Sequence, residues 1–132
     1  MSVPDFKISL RICGDDLDPK EISVLLHCQP TGGTRKGSRL ENKAGWTEAL
    51  TGVWYLDAGT REGASLADSI SSLLSKIDVD ASVWRSLAER FKCELFIGVF
   101  LRSANQGFSI TPDLLRTIVE RHLRLAFDVY AH

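Results

Sequence analysis

Residues 6–31 read FKISLRICGDDLDPKEISVLLHCQPT, and their pattern decides the local architecture. Phe6, Ile8, Leu10 and Ile12 alternate with Lys7, Ser9 and Arg11. A period of two with one polar face is the mark of a half-buried strand. Gly14 ends that strand at an acidic turn. Asp18 is then placed as the N-cap of a helix, with Pro19 at the first helical position and Glu21 at the third, completing a capping box. Leu17 can staple onto Ile22. Ile22, Leu25 and Leu26 form the stripe to be buried, and Pro30 bounds the helix because the residue before a proline disfavours helical geometry.

Working outward, residues 31–51, TGGTRKGSRLENKAGWTEALT, are rich in Gly, Thr and charge. They read as a long loop with a short helical turn near 46–50. Gly52 to Leu56 is a short strand, with Trp54 and Tyr55 on opposite faces. Ser65 caps a helix carrying Leu66, Ile70, Leu73, Leu74 and Ile77. Asp78-Val79-Asp80 interrupts it before Val83, Trp84, Leu87 and Phe91 mark another helical stretch. Cys93 to Leu101, CELFIGVFL, is nearly all apolar and reads as a central strand. Ser103 to Gly107 is turn chemistry, and Phe108 to Ile110 a short returning strand. Thr111 caps a last helix with Pro112 at its first position and Leu115, Ile118 and Val119 facing inward. Leu125, Phe127 and Val129 then alternate in a final strand.

This order predicts an α+β two-layer sandwich in one domain, residues 1–132. A mixed or antiparallel sheet of four to five strands carries its helices on one face, ferredoxin-like in spirit. A small doubly wound sheet is the alternative.

Composition narrows the function classes. The chain has 132 residues, 44% apolar and 25% charged, within the range of a folded globular protein. Sixteen basic and 17 acidic residues leave a net charge of −1, which gives no general attraction for nucleic acid or an anionic membrane. No apolar run approaches the length of about 18 residues that a membrane span needs. The start, MSVPDFK, lacks the basic and apolar regions of a signal peptide, so a cytoplasmic location is expected. Cys13, Cys28 and Cys93 are odd in number and lack paired spacing. Reduced thiols are expected, with neither a disulfide framework nor a zinc site.

The chain also resembles a bacterial family. The carrying residues are the Phe6–Ile12 strand and Gly14-Asp15-Asp16-Leu17-Asp18-Pro19-Lys20-Glu21-Ile22. Pro30-Thr31, Lys36-Gly37, Gly52-Val53-Trp54, Gly107-Phe108-Ser109-Ile110 and Phe127-Asp128-Val129-Tyr130 follow. Together they are similar to the family catalogued as domain of unknown function 4279. The resemblance covers most of the chain and implies a compact bacterial cytoplasmic domain. It brings no activity and no residue role. Small proteins of this build often resemble toxin-neutralising immunity partners, an analogy of context alone.

No catalytic residue, metal site or cofactor is predicted. Gly32 to Ser38 approaches a phosphate-loop pattern, but Ser38 stands where lysine is required and the segment follows a helix instead of a strand. Asp15, Asp16, Asp18 and Glu21 lack the spacing of a calcium loop, and Asp18 serves as a cap. His27 suits a helix C-terminus better than a metal. The basic cluster Arg35, Lys36, Arg39 and Lys43, with the aromatic Trp46 and Trp54, is the candidate binding surface. The polar sheet face of Lys7, Ser9 and Arg11, with Asp128 and Tyr130, is the next. Were the first and last strands neighbours, Arg11 or Lys7 could pair with Asp128.

The leading expectation is a non-enzymatic interaction or immunity-like protein with a protein partner, acidic by preference. The rival is a small enzyme or binding domain gripping an anionic ligand through residues 31–51. Nucleic acid is disfavoured by the charge, and the sequence leaves the oligomeric state open.

Overall fold

The computed structural model describes residues 3–59 and 64–131. Its elements run β1 (Asp5–Gly14), α1 (Pro19–Leu26), β2 (Gly32–Thr34), β3 (Arg39–Asn42), β4 (Gly45–Glu48) and β5 (Gly52–Asp57). They continue with α2 (Leu66–Leu74), α3 (Ala81–Arg90), β6 (Lys92–Phe100), α4 (Pro112–Glu120) and β7 (Arg124–Tyr130).

The main sheet has five strands in the order β2-β5-β1-β6-β7. β1 is antiparallel to both neighbours, and β6 is parallel to β7. β5 therefore lies between β1 and β2, and β1 lies between β5 and β6. Two interlocked split units of this kind are the βαββαβ plan of the ferredoxin-like fold. The β3–β4 hairpin is inserted between the two units. The α4–β7 segment adds a parallel strand outside β6. The fold is thus the two-layer α+β arrangement expected, not the doubly wound alternative.

Register explains the layers. Ile12 stands opposite both Trp54 and Cys93, Leu10 opposite Leu56 and Leu95, and Ile8 opposite Ile97. These side chains share one face and pack with Ile22, Leu26, Ile70, Leu73, Trp84, Leu87, Leu114 and Ile118 of the helices in one core. Gly52 allows the turn after β1 to press against β5: a Cβ there would lie 2.7 Å from the Gly14 carbonyl oxygen.

The helix starts follow the capping residues. Asp18 accepts from the Lys20 N–H at 3.1 Å, Ser65 from Asp68 at 3.0 Å and Thr111 from Leu114 at 3.3 Å. Glu21 reaches elsewhere: Arg90 of α3 donates to it at 2.8 Å, tying α1 to α3. α1 and α4 stop in the same way. His27 and His122 take left-handed geometry, with φ of 51° and 54°. His27 N–H bonds to Val24 and Cys28 N–H to Ser23; His122 N–H bonds to Val119 and Leu123 N–H to Ile118. Both are Schellman closures with histidine where glycine is usual.

Four sequence expectations are corrected. Residues 31–51 are not a long loop with a helical turn: they hold edge strand β2 and the β3–β4 hairpin. Asn42 Oδ1 accepts the Ala44 N–H at 2.9 Å to shape the turn, and Gly37 and Ser38 bond to Ala49 to fasten the hairpin's base. Every residue of the hairpin strands is exposed, so no apolar period was present to read. On α4, Leu114 and Ile118 are buried whereas Leu115 and Val119 are exposed. Two apolar stripes run one residue apart there, and docking on the sheet selected the earlier one. Residues 108–110 form no strand; the Phe108 ring packs edge-on against Phe6 at 5.2 Å. Finally, β6 separates β1 from β7, so Asp128 does not face Arg11 or Lys7.

Candidate functional site

The helices occupy one face of the sheet, and the other face stays open. Alternation on β1 brings Lys7, Ser9, Arg11 and Cys13 to that face. Register adds Val53, Tyr55 and Asp57 from β5, Lys92, Glu94, Phe96 and Phe100 from β6, and Arg124, Asp128 and Tyr130 from β7. The twisted strands leave a trough of about 740 Å³ along this face, lined by Ser9, Arg11, Tyr55, Glu94, Phe96 and Tyr130 among others.

Charge and aromatic contact organise the trough. The Arg11 guanidinium lies 3.9 Å from the centroid of the Phe96 ring. Glu94 stands opposite Arg11 on the neighbouring strand, and its side chain is only 9% exposed. Its Oε2 is 3.8 Å from Lys92 Nζ and 4.0 Å from Arg124 Nε. A buried carboxylate needs such cations to offset lost hydration. Phe100 and Tyr130 stack in parallel at 4.7 Å. Tyr130 donates its hydroxyl to Asp128, and this bond with the adjacent negative charge raises the phenol's pKa. The buried Ser9 hydroxyl has no hydrogen-bond partner among the described residues.

The one thiol lining the trough is not activated. Burial, then the Glu94 charge, pushes the Cys13 thiol above its usual pKa, away from the reactive thiolate. Cys93 points to the helix side, and burial lifts it to about 11. His27 and His122 close helices and are absent from the trough's lining. Among the described residues no group of three His, Cys, Asp or Glu side chains is placed to hold a metal ion. No helix among them is long and apolar enough to cross a membrane.

A second recess of about 1110 Å³ opens near Pro4, Lys7, Ala58, Ser65 and Arg102. Three of its polar residues, Asp5, Ser65 and Arg102, are already engaged. Arg102 grips Asp5 with bonds of 2.8 and 2.9 Å, and Ser65 caps α2.

The residues expected from sequence to bind separate into several environments. Trp54 is buried completely, opposite Ile12, and its Nε1–H donates to Ser23 Oγ at 3.0 Å. It belongs to the core and is withdrawn from the binding surface. Its neighbour Tyr55 faces the trough instead. Trp46 is 54% exposed on β4, and the Arg39 guanidinium sits 4.7 Å from its ring centroid. Arg39 also pairs with Glu41 at 3.3 Å. Lys36 bonds Asp15 at 3.2 Å, which holds that carboxyl below its ordinary pKa. Arg35 lies exposed before the hairpin, and Lys43 is exposed in its turn. The hairpin and the trough meet: a shallow recess lined by Leu40, Thr47 and Leu50 shares Val53 with the trough.

Glu94 and Phe96 escaped the sequence reading. Their strand looked nearly all apolar, and that concealed its open face. The available signal was Glu94 itself, the sole charge within Cys93–Leu101.

No curated protein and no solved structure matches the chain significantly. Residues 4–132, essentially the whole sequence, match the family described as a domain of unknown function (DUF4279), and the chain belongs to that family.

Proposed function

We propose that the protein is a non-enzymatic interaction domain that docks an acidic protein partner on its β3–β4 hairpin and the adjoining open sheet face. The observation carrying this reading is the Arg39–Trp46 pair. A large aromatic ring is held out in solvent under a guanidinium, on a hairpin whose side chains the core does not use. Trp and Arg are the residue types that dominate binding energy at protein interfaces. Residues 35–48 carry Arg35, Lys36, Arg39 and Lys43 against Glu41 and Glu48, so the arm is positive within a chain of net charge −1. Such a surface favours an acidic partner by steering and complementarity.

The anionic small-ligand reading is weaker. Lys36 is committed to Asp15, and Arg39 to Glu41 and Trp46, so these cations do not converge on one point. An immunity-type antagonist acting in a bacterial cytoplasm is the specific form favoured here, supported by the presented arm with its solvent-exposed Arg39–Trp46 pair.

The test is affinity capture from the native host with wild type and with the Arg39→Glu/Trp46→Ala double variant. Titration of the captured partner at low and high salt follows. The expected result is loss of capture by the variant, a wild-type affinity that falls with salt, and a change in stability below about 0.5 kcal/mol, as is usual for exposed substitutions. Equal affinity of the two proteins at both salt concentrations would remove the hairpin from the account.

A further inference from the structure

The two edges of the sheet are built differently. β2 is three residues long and holds Gly32 and Gly33. β7 has seven residues, and among the described residues no strand pairs with its outer side. In a parallel ladder, alternate residues direct both backbone groups to one neighbour. Leu101 N–H donates to the Tyr130 carbonyl at 3.0 Å, which fixes the phase: Arg124, Ala126, Asp128 and Tyr130 turn their backbone groups toward β6. Leu125, Phe127 and Val129 therefore turn their N–H and C=O groups outward. The side chains of these same three residues lie on the helix side. Phe127 is 44% and Val129 58% exposed.

Natural sheets blunt a long edge with proline, a bulge, inward charge or a covering segment. Leu125, Phe127 and Val129 carry no charge, and the strand contains no proline. Among the described residues, the only ring against Phe127 is that of Phe108, at 6.1 Å. The strand's two charges, Arg124 and Asp128, lie on the open face and are opposite in sign. We infer that β7 pairs antiparallel with β7 of a second copy of this chain, about a two-fold axis at Phe127, giving one continuous sheet of twice the width.

The register follows from the side chains and the backbone groups. Centred on Phe127, the pairing sets Phe127 against its own copy and Leu125 against Val129, twice. All three outward-facing residues then have their N–H and C=O groups bonded. The helix-side contact is entirely apolar. On the open face Arg124 meets the other copy's Tyr130 directly and its Asp128 diagonally, a cation–π contact and an opposite-charge pair. Sliding Phe127 opposite Val129 would set Asp128 against its own copy. Sliding it opposite Leu125 would leave Val129 outside the ladder. The interface is isologous, as a two-fold dimer requires. It is also distinct from the hairpin, so this pairing does not depend on the function proposed above.

Sedimentation equilibrium from micromolar to millimolar protein tests the mass, and amide hydrogen exchange tests the surface. The expected wild-type result is a concentration-dependent rise to twice the 14.6 kDa chain mass. The amides of Leu125, Phe127 and Val129 gain protection in step with that rise. Two variants separate folding from pairing. Val129→Pro deletes an outward N–H and no bond of the β6–β7 ladder; Phe127→Lys puts two like charges on the axis. Both are expected to stay monomeric with unchanged circular dichroism. A wild type that remains monomeric throughout overturns the inference. So does a dimer that survives both substitutions, or one in which these amides exchange as fast as in the monomer. Protection of the same amides only after addition of a different protein would assign the edge to that partner and likewise overturn self-pairing.

Discussion

Cys93 shows what one position in a register does to chemistry. The thiol is buried among core side chains, and desolvation of the thiolate raises its pKa from 9.0 to about 11. A raised acid pKa means that the folded state keeps its proton while the unfolded chain loses it. Cys93 therefore favours the native state below the unfolded value of about 9.0, and this contribution fades as pH climbs toward about 11. At mildly alkaline pH, Cys93 is expected to resist alkylation until denaturant is added. Denaturation midpoints should fall above pH 9, and Cys93→Ala should flatten that decline. Rapid labelling of Cys93 in the folded protein, read by mass spectrometry of its peptide, would contradict the burial argument. Cys28 ends α1 at intermediate exposure and serves as the internal reference.

Among the elements, α1 and α4 are alike at both ends: an Asp or Thr cap, proline at the first position, and a left-handed histidine at the close. A non-glycine residue in that geometry carries a steric penalty of about 1–2 kcal/mol. Glycine relieves it at some cost in unfolded-chain entropy. His27→Gly and His122→Gly should each stabilise the protein by roughly 0.5–1 kcal/mol, measured by chemical denaturation. Alanine at the same positions should give no such gain, because it retains the Cβ that causes the clash. A loss of stability with glycine would show that the histidine side chains contribute contacts outweighing the strain.

At the scale of the whole molecule, Trp54 joins the layers. It lies on the central part of the sheet, opposite Ile12, and its indole N–H donates to Ser23 on α1. Ser23 Oγ in turn donates to the Pro19 carbonyl at 3.1 Å, so sheet, helix and helix entry share one chain of hydrogen bonds. Trp54→Ala should cost about 3–5 kcal/mol, as for other large buried aromatics. That is a large part of the roughly 5–15 kcal/mol that holds a domain together. The change should abolish partner binding only by unfolding the protein, in contrast to Trp46→Ala, which should leave the melting temperature nearly unchanged. The two tryptophans thus separate structural from binding roles in one pair of thermal melts.

The local chain was legible wherever burial imprinted a period or a cap imposed a residue type. Alternation from Phe6 to Ile12 gave β1 and its two faces, Asp18-Pro19 gave the start of α1, and Thr111-Pro112 gave the start of α4. The layer arrangement followed from these, because a strand with one polar face calls for helices on the other side only. What remained hidden had no such imprint. The hairpin at Arg39–Glu48 is exposed on both faces, so its sequence carried no period. The two stripes of α4 were equivalent in sequence, and only packing into the shared core chose Leu114 and Ile118. Trp54 and Trp46 look alike in the chain, yet pairing with β1 buried the first and the hairpin exposed the second. Strand order was likewise beyond local reading, since it arises from long-range pairing. That order placed β6 between β1 and β7, set Glu94 beneath its cations, and left β7 as the open edge. Local hydrogen bonding and periodicity fixed the elements; competition among distant segments for the same core fixed which surfaces remained for a partner.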